Sequence, residues 1–167
     1  MAKDIWISEN WMKDPEIAKP GRRTGLRLRF DRDVDPDIRA AFKELAKWIR
    51  ERFWFPVRVP VYVRSSKTVT ARDGDQCVGT FLWPDNHSVD PYIRVAAGDY
   101  QDLVNEKGAL QAKILVLLPF LHELTHYYQW INSESLTPIG EERQAERYAQ
   151  DIMDEYLDDL GLLETLR

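Results

Sequence analysis

Apolar residues recur at helical spacing in one early segment of the chain, residues 37–55. Asp35 has the side chain of a typical N-cap, and Pro36 suits the first helical position. The apolar positions form one stripe three or four residues apart, as in a helix that packs one face on a core: Ile38, Ala41, Phe42, Leu45, Trp48, Ile49 and Phe53. The pattern therefore predicts a first long helix that begins near Asp35.

Other segments alternate between apolar and polar residues, which is typical of strands. Residues 25–30 predict a short half-buried strand, and residues 56–64 a second one, whose Pro60 favours an edge or bulge position. A hairpin is predicted around the turn signal Asp73-Gly74, and a last strand over residues 92–98. The chain thus offers three or four strands after the first helix.

The remainder of the chain, from about Ala109, has helical patterns. They predict a long apolar helix to Ile131, a loop, and a terminal helix from Glu141 to about Leu160. Strands and helices are therefore segregated along the chain, which indicates an α+β domain. We expect a small mixed or antiparallel sheet packed on the N-terminal helix and followed by the two later helices. Residues 1–24 are expected to form an extension ahead of a single domain, residues 25–167.

Composition narrows the class of protein. The chain has 167 residues and an apolar fraction of 44%, as in a globular protein. No apolar stretch has the length of a signal-peptide core or a membrane span, so we expect a cytoplasmic protein without a membrane partner. The net charge of −5, with both signs interspersed, predicts no nucleic-acid partner and leaves only a local basic patch open. The pattern does not predict an oligomeric state.

The segment FLHELTHYYQW (residues 120–130) contains the HExxH spacing, formed by His122, Glu123 and His126. Residues four apart lie one above the other on a helix, so the two histidines can direct ring nitrogens at one ion. Glu123 lies beside the first of them and can act as general base on a zinc-bound water. The surrounding helix is apolar around most of its circumference, and a metal would satisfy these polar groups. Pro119 requires that the helix begin anew there or be kinked.

A catalytic zinc ion normally has three protein ligands, and the terminal helix is the natural source of the third. The apolar stripe of that helix, extended back by one turn, meets both Glu141 and Glu142, and spacing alone does not choose between them. Glu146 lies four residues after Glu142 and could accept the outer N–H of a ligating histidine. We therefore favour Glu142, with Glu141 as the alternative.

Together, HELTHYYQ and the later EERQAERYA resemble the active-site helix and the glutamate helix of the gluzincin metallopeptidases, above all the small minigluzincins. The resemblance covers about residues 35–160. It implies a zincin-like fold and a zinc metalloendopeptidase with a peptide or protein substrate. It also implies an edge strand that binds extended peptide, for which residues 92–98 are our candidate. The implied zinc ligands, general base and outer carboxylate are, in that order, His122, His126 and Glu142, then Glu123, then Glu146.

The related ImmA-like peptidases share part of this pattern, but Thr125 stands where they usually have glycine. A repressor-cleaving role is therefore a weaker inference. The chain also lacks the later subdomain on which larger gluzincins carry a group that stabilises the transition state. Candidates for that group are Tyr127, Tyr128, Tyr156 and His87.

Two other functions remain open. A latent or non-catalytic protein could keep the zinc and use the groove to bind a protein, with residues 1–24 lying across the cleft in the manner of a pro-segment. A deformylase-like hydrolase would instead take its third ligand from Cys77, the single cysteine. The surrounding sequence DQCVGT does not resemble the cysteine motif of that family, so a buried free thiol is the favoured interpretation.

Overall fold

The computed structural model describes residues 4–166 and has the predicted α+β architecture. A four-stranded sheet is backed by two long helices, and a third long helix packs on the second of these. The helices are α1 (Asp4–Ile7), α2 (Pro15–Ala18), α3 (Pro36–Arg52), α4 (Tyr100–Lys107), α5 (Ala109–Ile131) and α6 (Pro138–Asp159). The strands are β1 (Leu26–Phe30), β2 (Val59–Arg64), β3 (Val69–Thr70), β4 (Gln76–Cys77), β5 (Gly79–Leu82) and β6 (Tyr92–Ala96).

The main sheet has the strand order β1-β2-β6-β5, in which β1, β2 and β6 are parallel and β5 is antiparallel to β6. One face of this sheet is apolar and packs on α3 and α5. Its central positions Val61, Val63 and Ile93 have no exposed surface. The predicted hairpin is present as β3 and β4, whose turn contains Gly74 at a φ of +92°.

Strand order corrects two predictions. Residues 92–98 are not the edge strand, because β6 lies between β2 and β5; the edge beside α5 is β5. Pro60 is not on an edge strand or at a bulge either, since β2 is internal. The N–H of Val59 donates to Gly25, so position 60 faces β6, and pairing with β6 begins only at Val61. The missing N–H of proline therefore breaks no ladder.

The long helices follow the sequence pattern closely. The Asp35 carboxylate caps α3 by accepting from the N–H of Asp37, with Pro36 in the first turn. Helix α5 runs from Ala109 to Ile131 as predicted and continues through Pro119 without a new start. Helix α6 begins at Pro138, three residues earlier than predicted, because the Thr137 hydroxyl caps it. Helix α4 and the helical turns before β1 have no counterpart in the prediction.

Residues 4–24 pack against α5 and contribute to the core. Trp6 is 2% exposed, and its indole N–H donates to the Thr125 hydroxyl at 2.9 Å. Asn132 accepts from the backbone N–H of Trp11 in the same way, at 2.9 Å. The threonine that departs from the ImmA pattern is therefore a contact for the N-terminal segment. No helix within residues 4–166 is long and apolar enough to cross a membrane.

Candidate metal centre

Helices α5 and α6 bring three ligand-type side chains together. His122 and His126 lie one turn apart on α5, and their Nε2 atoms are 3.2 Å apart. Glu142 on α6 reaches across, with Oε2 at 3.1 Å from Nε2 of His122 and Oε1 at 2.9 Å from Nε2 of His126. The structure thus brings together all three residues that the sequence predicts as ligands.

The separations match the donor set of a tetrahedral zinc site. Two ligand atoms at the usual Zn–N or Zn–O distance and at a tetrahedral angle are about 3.3 Å apart. The three separations in this cluster are 3.2, 3.1 and 2.9 Å. Two imidazoles and one carboxylate are also the donors that zinc prefers in catalytic sites. The residues present therefore fit a zinc ion.

Glu141, the alternative ligand, does not face the histidines. It lies in the first turn of α6, and its backbone carbonyl accepts from the side-chain amide of Gln129 at 3.0 Å. The cluster of possible ligand atoms in residues 4–166 contains Glu142 and not Glu141.

The partner of His126 is Gln129, which the sequence analysis missed. Oε1 of Gln129 lies 2.8 Å from Nδ1 of His126, and because an amide oxygen can only accept, the histidine carries its proton on Nδ1. The Nε2 lone pair is then left for the cluster. Glu146, predicted for this role, is exposed and makes no hydrogen bond to either histidine within the described residues. The signal was available, since Gln129 is a polar residue three positions after His126 on the same helix face.

Burial and neighbouring charges perturb the titration of the site. Burial lowers the pKa of His122 and the nearby His126 lowers it further, against the opposing effect of Glu142. Burial, followed by the charge of Glu142, raises the pKa of Glu123 to about 8. Both effects on Glu123 diminish when a cation binds at Glu142 and the histidines. Glu123 is thus a carboxyl whose charge depends on whether the neighbouring site is filled.

Gly79 is where β5 approaches α5 most closely. A Cβ atom at this position would lie 3.2 Å from Cβ of Pro119 and 3.3 Å from both Cγ and Oε2 of Glu123. Glycine therefore makes room for the Glu123 carboxylate beside the edge strand. Sequence analysis missed this residue too, although an isolated glycine at a strand end is a known sign of close backbone approach.

The cluster opens into a cleft of about 1040 Å³. Its walls include β5 and the aromatic side chains of Trp83 and Trp130, and no residue of the segment 4–24 lines it. In the described part of the chain, the extension therefore does not cover the cleft as predicted for residues 1–24; residues 1–3 lie outside the described residues. Four carboxylates outside the metal cluster, which we call the acidic rim, also line the cleft: Asp73, Asp75, Glu134 and Glu141.

Of the four candidates for a transition-state stabiliser, three belong to the core. Tyr127 and Tyr128 are buried and donate to the carbonyls of Val57 and Trp54, and Tyr156 packs on Trp48. His87 alone lines the cleft, with its ring centroid 4.4 Å from that of Trp130. Nδ1 of His87 donates to the Asp14 carboxylate, which leaves Nε2 available to the cleft.

Cys77, the ligand in the deformylase interpretation, is not part of the metal cluster of residues 4–166. It lies on β4, and its thiol donates to the carbonyl of Val69 at 3.6 Å. Burial raises the pKa of this thiol, which works against the thiolate that a metal ligand requires.

Comparison of the chain with known protein families, with curated proteins and with solved structures finds no match. The chemistry of the cleft therefore has to be inferred from its own residues. They combine a cation-binding triad, an adjacent buried carboxylate and the free edge of a strand.

Proposed function

We propose that this protein is a zinc-dependent metallopeptidase of the gluzincin type. The observation that carries the proposal is the triad of His122, His126 and Glu142 at zinc-ligand separations, with Glu123 beside it in an open cleft. The sequence resemblance to minigluzincins supports the same reaction. A zinc ion held by the triad would polarise the scissile carbonyl and lower the pKa of a water molecule.

Glu123 has the position of the general base. Oε2 of Glu123 lies 4.0 Å from Nε2 of His122, close to the triad without belonging to it. Its side chain is nearly buried, so few water molecules compete for it. Glu123 takes a proton from the attacking water and passes it to the amine that leaves. His87, oriented by Asp14, offers Nε2 to the substrate from the cleft wall.

The edge strand β5 supplies the surface for an extended peptide. It pairs with β6 on one side only, and within the described residues no strand occupies its other edge. Gly79, Thr80 and Phe81 of β5 line the cleft together with Glu123. A substrate that adds a strand along this edge would run past the triad and be held by its main chain.

Metal analysis of purified protein tests the proposal. We expect about one zinc per chain in wild type and in Glu141→Ala, and loss of the metal in Glu142→Ala. If both glutamate variants keep zinc, the assigned third ligand is wrong; if Cys77→Ala loses it, the deformylase-like site is the better assignment.

Hydrolysis of a fluorogenic peptide library tests the catalytic step separately. Glu123→Gln should keep its zinc and lose turnover, because a neutral amide cannot take the proton. A wild type that holds zinc and cleaves no peptide would favour the alternative function, a zinc-containing protein that uses the groove for binding.

A further inference from the structure

The sheet face that points away from α3 and α5 carries arginines and tyrosines. Side chains alternate across the sheet, so the buried positions on each strand identify the outward ones. We define the Arg-Tyr face by six of these outward residues: Arg27, Arg29, Tyr62, Arg64, Tyr92 and Arg94. The other outward positions of the four strands are uncharged, so no carboxylate projects from this face of the sheet.

Strand register sets these side chains side by side. Arg29 on β1, Tyr62 on β2 and Arg94 on β6 are directly paired across three strands. Neighbouring strands are about 4.8 Å apart, so Tyr62 lies between two guanidinium groups. Its ring centroid is 5.9 Å from that of Tyr92, in an edge-to-face arrangement. Both rings are only partly buried, so their remaining surface is open to a ligand.

Most of the positive charge on this face is unpaired. Arg64 pairs with Asp31 at 3.0 Å. Among residues 4–166, Arg27, Arg29 and Arg94 have no carboxylate oxygen within ion-pair distance. The chain as a whole has a net charge of −5, so this face is a local exception to an acidic protein. Such a separation of charge favours a polyanionic partner on this side of the molecule.

We infer that the Arg-Tyr face binds single-stranded nucleic acid. Guanidinium groups contact phosphates, and tyrosine rings and guanidinium planes are surfaces on which unpaired bases stack. A duplex hides its base faces, which makes single strands the better fit to a flat sheet surface. An acidic peptide would use the arginines but not the rings in this way, and a membrane would require apolar side chains that insert. The average charge of the sequence conceals this patch, which only strand pairing assembles.

Fluorescence anisotropy with a labelled 15-residue oligo-dT and an oligo-U of equal length tests the inference. We expect binding at low salt, with an affinity that falls as salt rises. The double variant Arg29→Ala/Arg94→Ala should bind at least tenfold more weakly and show a salt slope reduced by about 2, one for each lost phosphate contact. Tyr62→Leu should weaken binding about fivefold or more through lost stacking while leaving the salt slope unchanged.

The matched control is Arg147→Ala, which removes an exposed arginine on α6 and should bind like wild type. Circular dichroism verifies that each variant is folded. Equal binding by wild type and the double variant, or no binding by wild type at 50 mM salt, would overturn the inference. So would stronger binding to duplex DNA, to polyglutamate or to anionic phospholipid vesicles than to the single strands.

Discussion

Gln129 offers the most discriminating test of how the two helices form one site. It is 4% exposed and joins three groups. Its Oε1 accepts from His126, and its amide nitrogen donates to the carbonyl of Glu141 at 3.0 Å and to Oε1 of Gln144 at 2.8 Å. Replacement by leucine keeps the side chain buried and removes all three hydrogen bonds. Replacement by glutamate keeps the acceptor for His126 and removes the two donors.

These contacts set the expected magnitudes. Each hydrogen bond contributes about 1 kcal/mol, so Gln129→Leu should lower the free energy of unfolding of the metal-free protein by about 2–4 kcal/mol. Loss of the group that orients a ligating histidine typically weakens metal binding by about 10- to 100-fold. Gln129→Glu should also lose stability, by about 2 kcal/mol for two hydrogen bonds. Its zinc affinity should stay within about threefold of wild type, because a carboxylate also accepts from Nδ1.

Urea unfolding of the metal-free variants gives the stability, and competition with a chromophoric chelator gives the zinc dissociation constant. A purely structural role for Gln129 predicts that the two variants lose zinc affinity in proportion to their loss of stability. Orientation of His126 predicts that only the leucine variant loses it. Zinc binding by Gln129→Leu at wild-type affinity would refute our account of the site.

Three further predictions concern other parts of the cleft. Gly79→Ala should lower the free energy of unfolding by about 1 kcal/mol and reduce turnover, since the new methyl group crowds Pro119 and Glu123; unchanged urea midpoint and turnover would contradict this. Burial alone would raise the pKa of Asp14, but hydrogen bonds from His87 and from the N–H of Glu16 outweigh it and hold the pKa below its usual value. This stabilisation exists above pH ~4 and is lost as pH falls, so Asp14→Asn should be less stable at pH 7 by up to about 1 kcal/mol and converge with wild type in acid; a gap independent of pH would exclude the charge. Peptides flanked by lysine or arginine should be cleaved faster than glutamate-flanked ones, in a ratio that shrinks with salt, because the acidic rim lines the cleft; equal rates at low salt would show that the rim plays no part.

Local patterns predict the helices of this protein well because the evidence for them is local. Cap residues and the apolar stripe define α3, and the uniform apolar character of α5 marks it as buried. The HExxH spacing likewise fixes the relation of His122 to His126, since one helix carries both. Helix α4 has no comparable stripe, and of its residues only Tyr100 is buried.

Contacts between elements are a different matter. Each strand pattern is compatible with several sheet orders, so the sequence could not reveal that β6 is internal and β5 free. The choice of Glu142 over Glu141 rests, in the sequence, on Glu146, yet the structure shows Gln129 at the histidine instead. The expected ligand is in place for a different reason, because the packing of α6 on α5 decides which first-turn carboxylate faces inward.

The hydrogen bond from Trp6 to Thr125 spans 119 residues, and so affects how the protein is made. At a synthesis rate of about 5–20 residues per second, the ribosome needs about 6–24 s to proceed from one partner to the other. During that time the indole of Trp6 has no place to pack, and the chain's first apolar residues stay exposed. The segment made first is therefore among the last to reach its native contacts, and it does so only when the helix that carries the histidines has emerged.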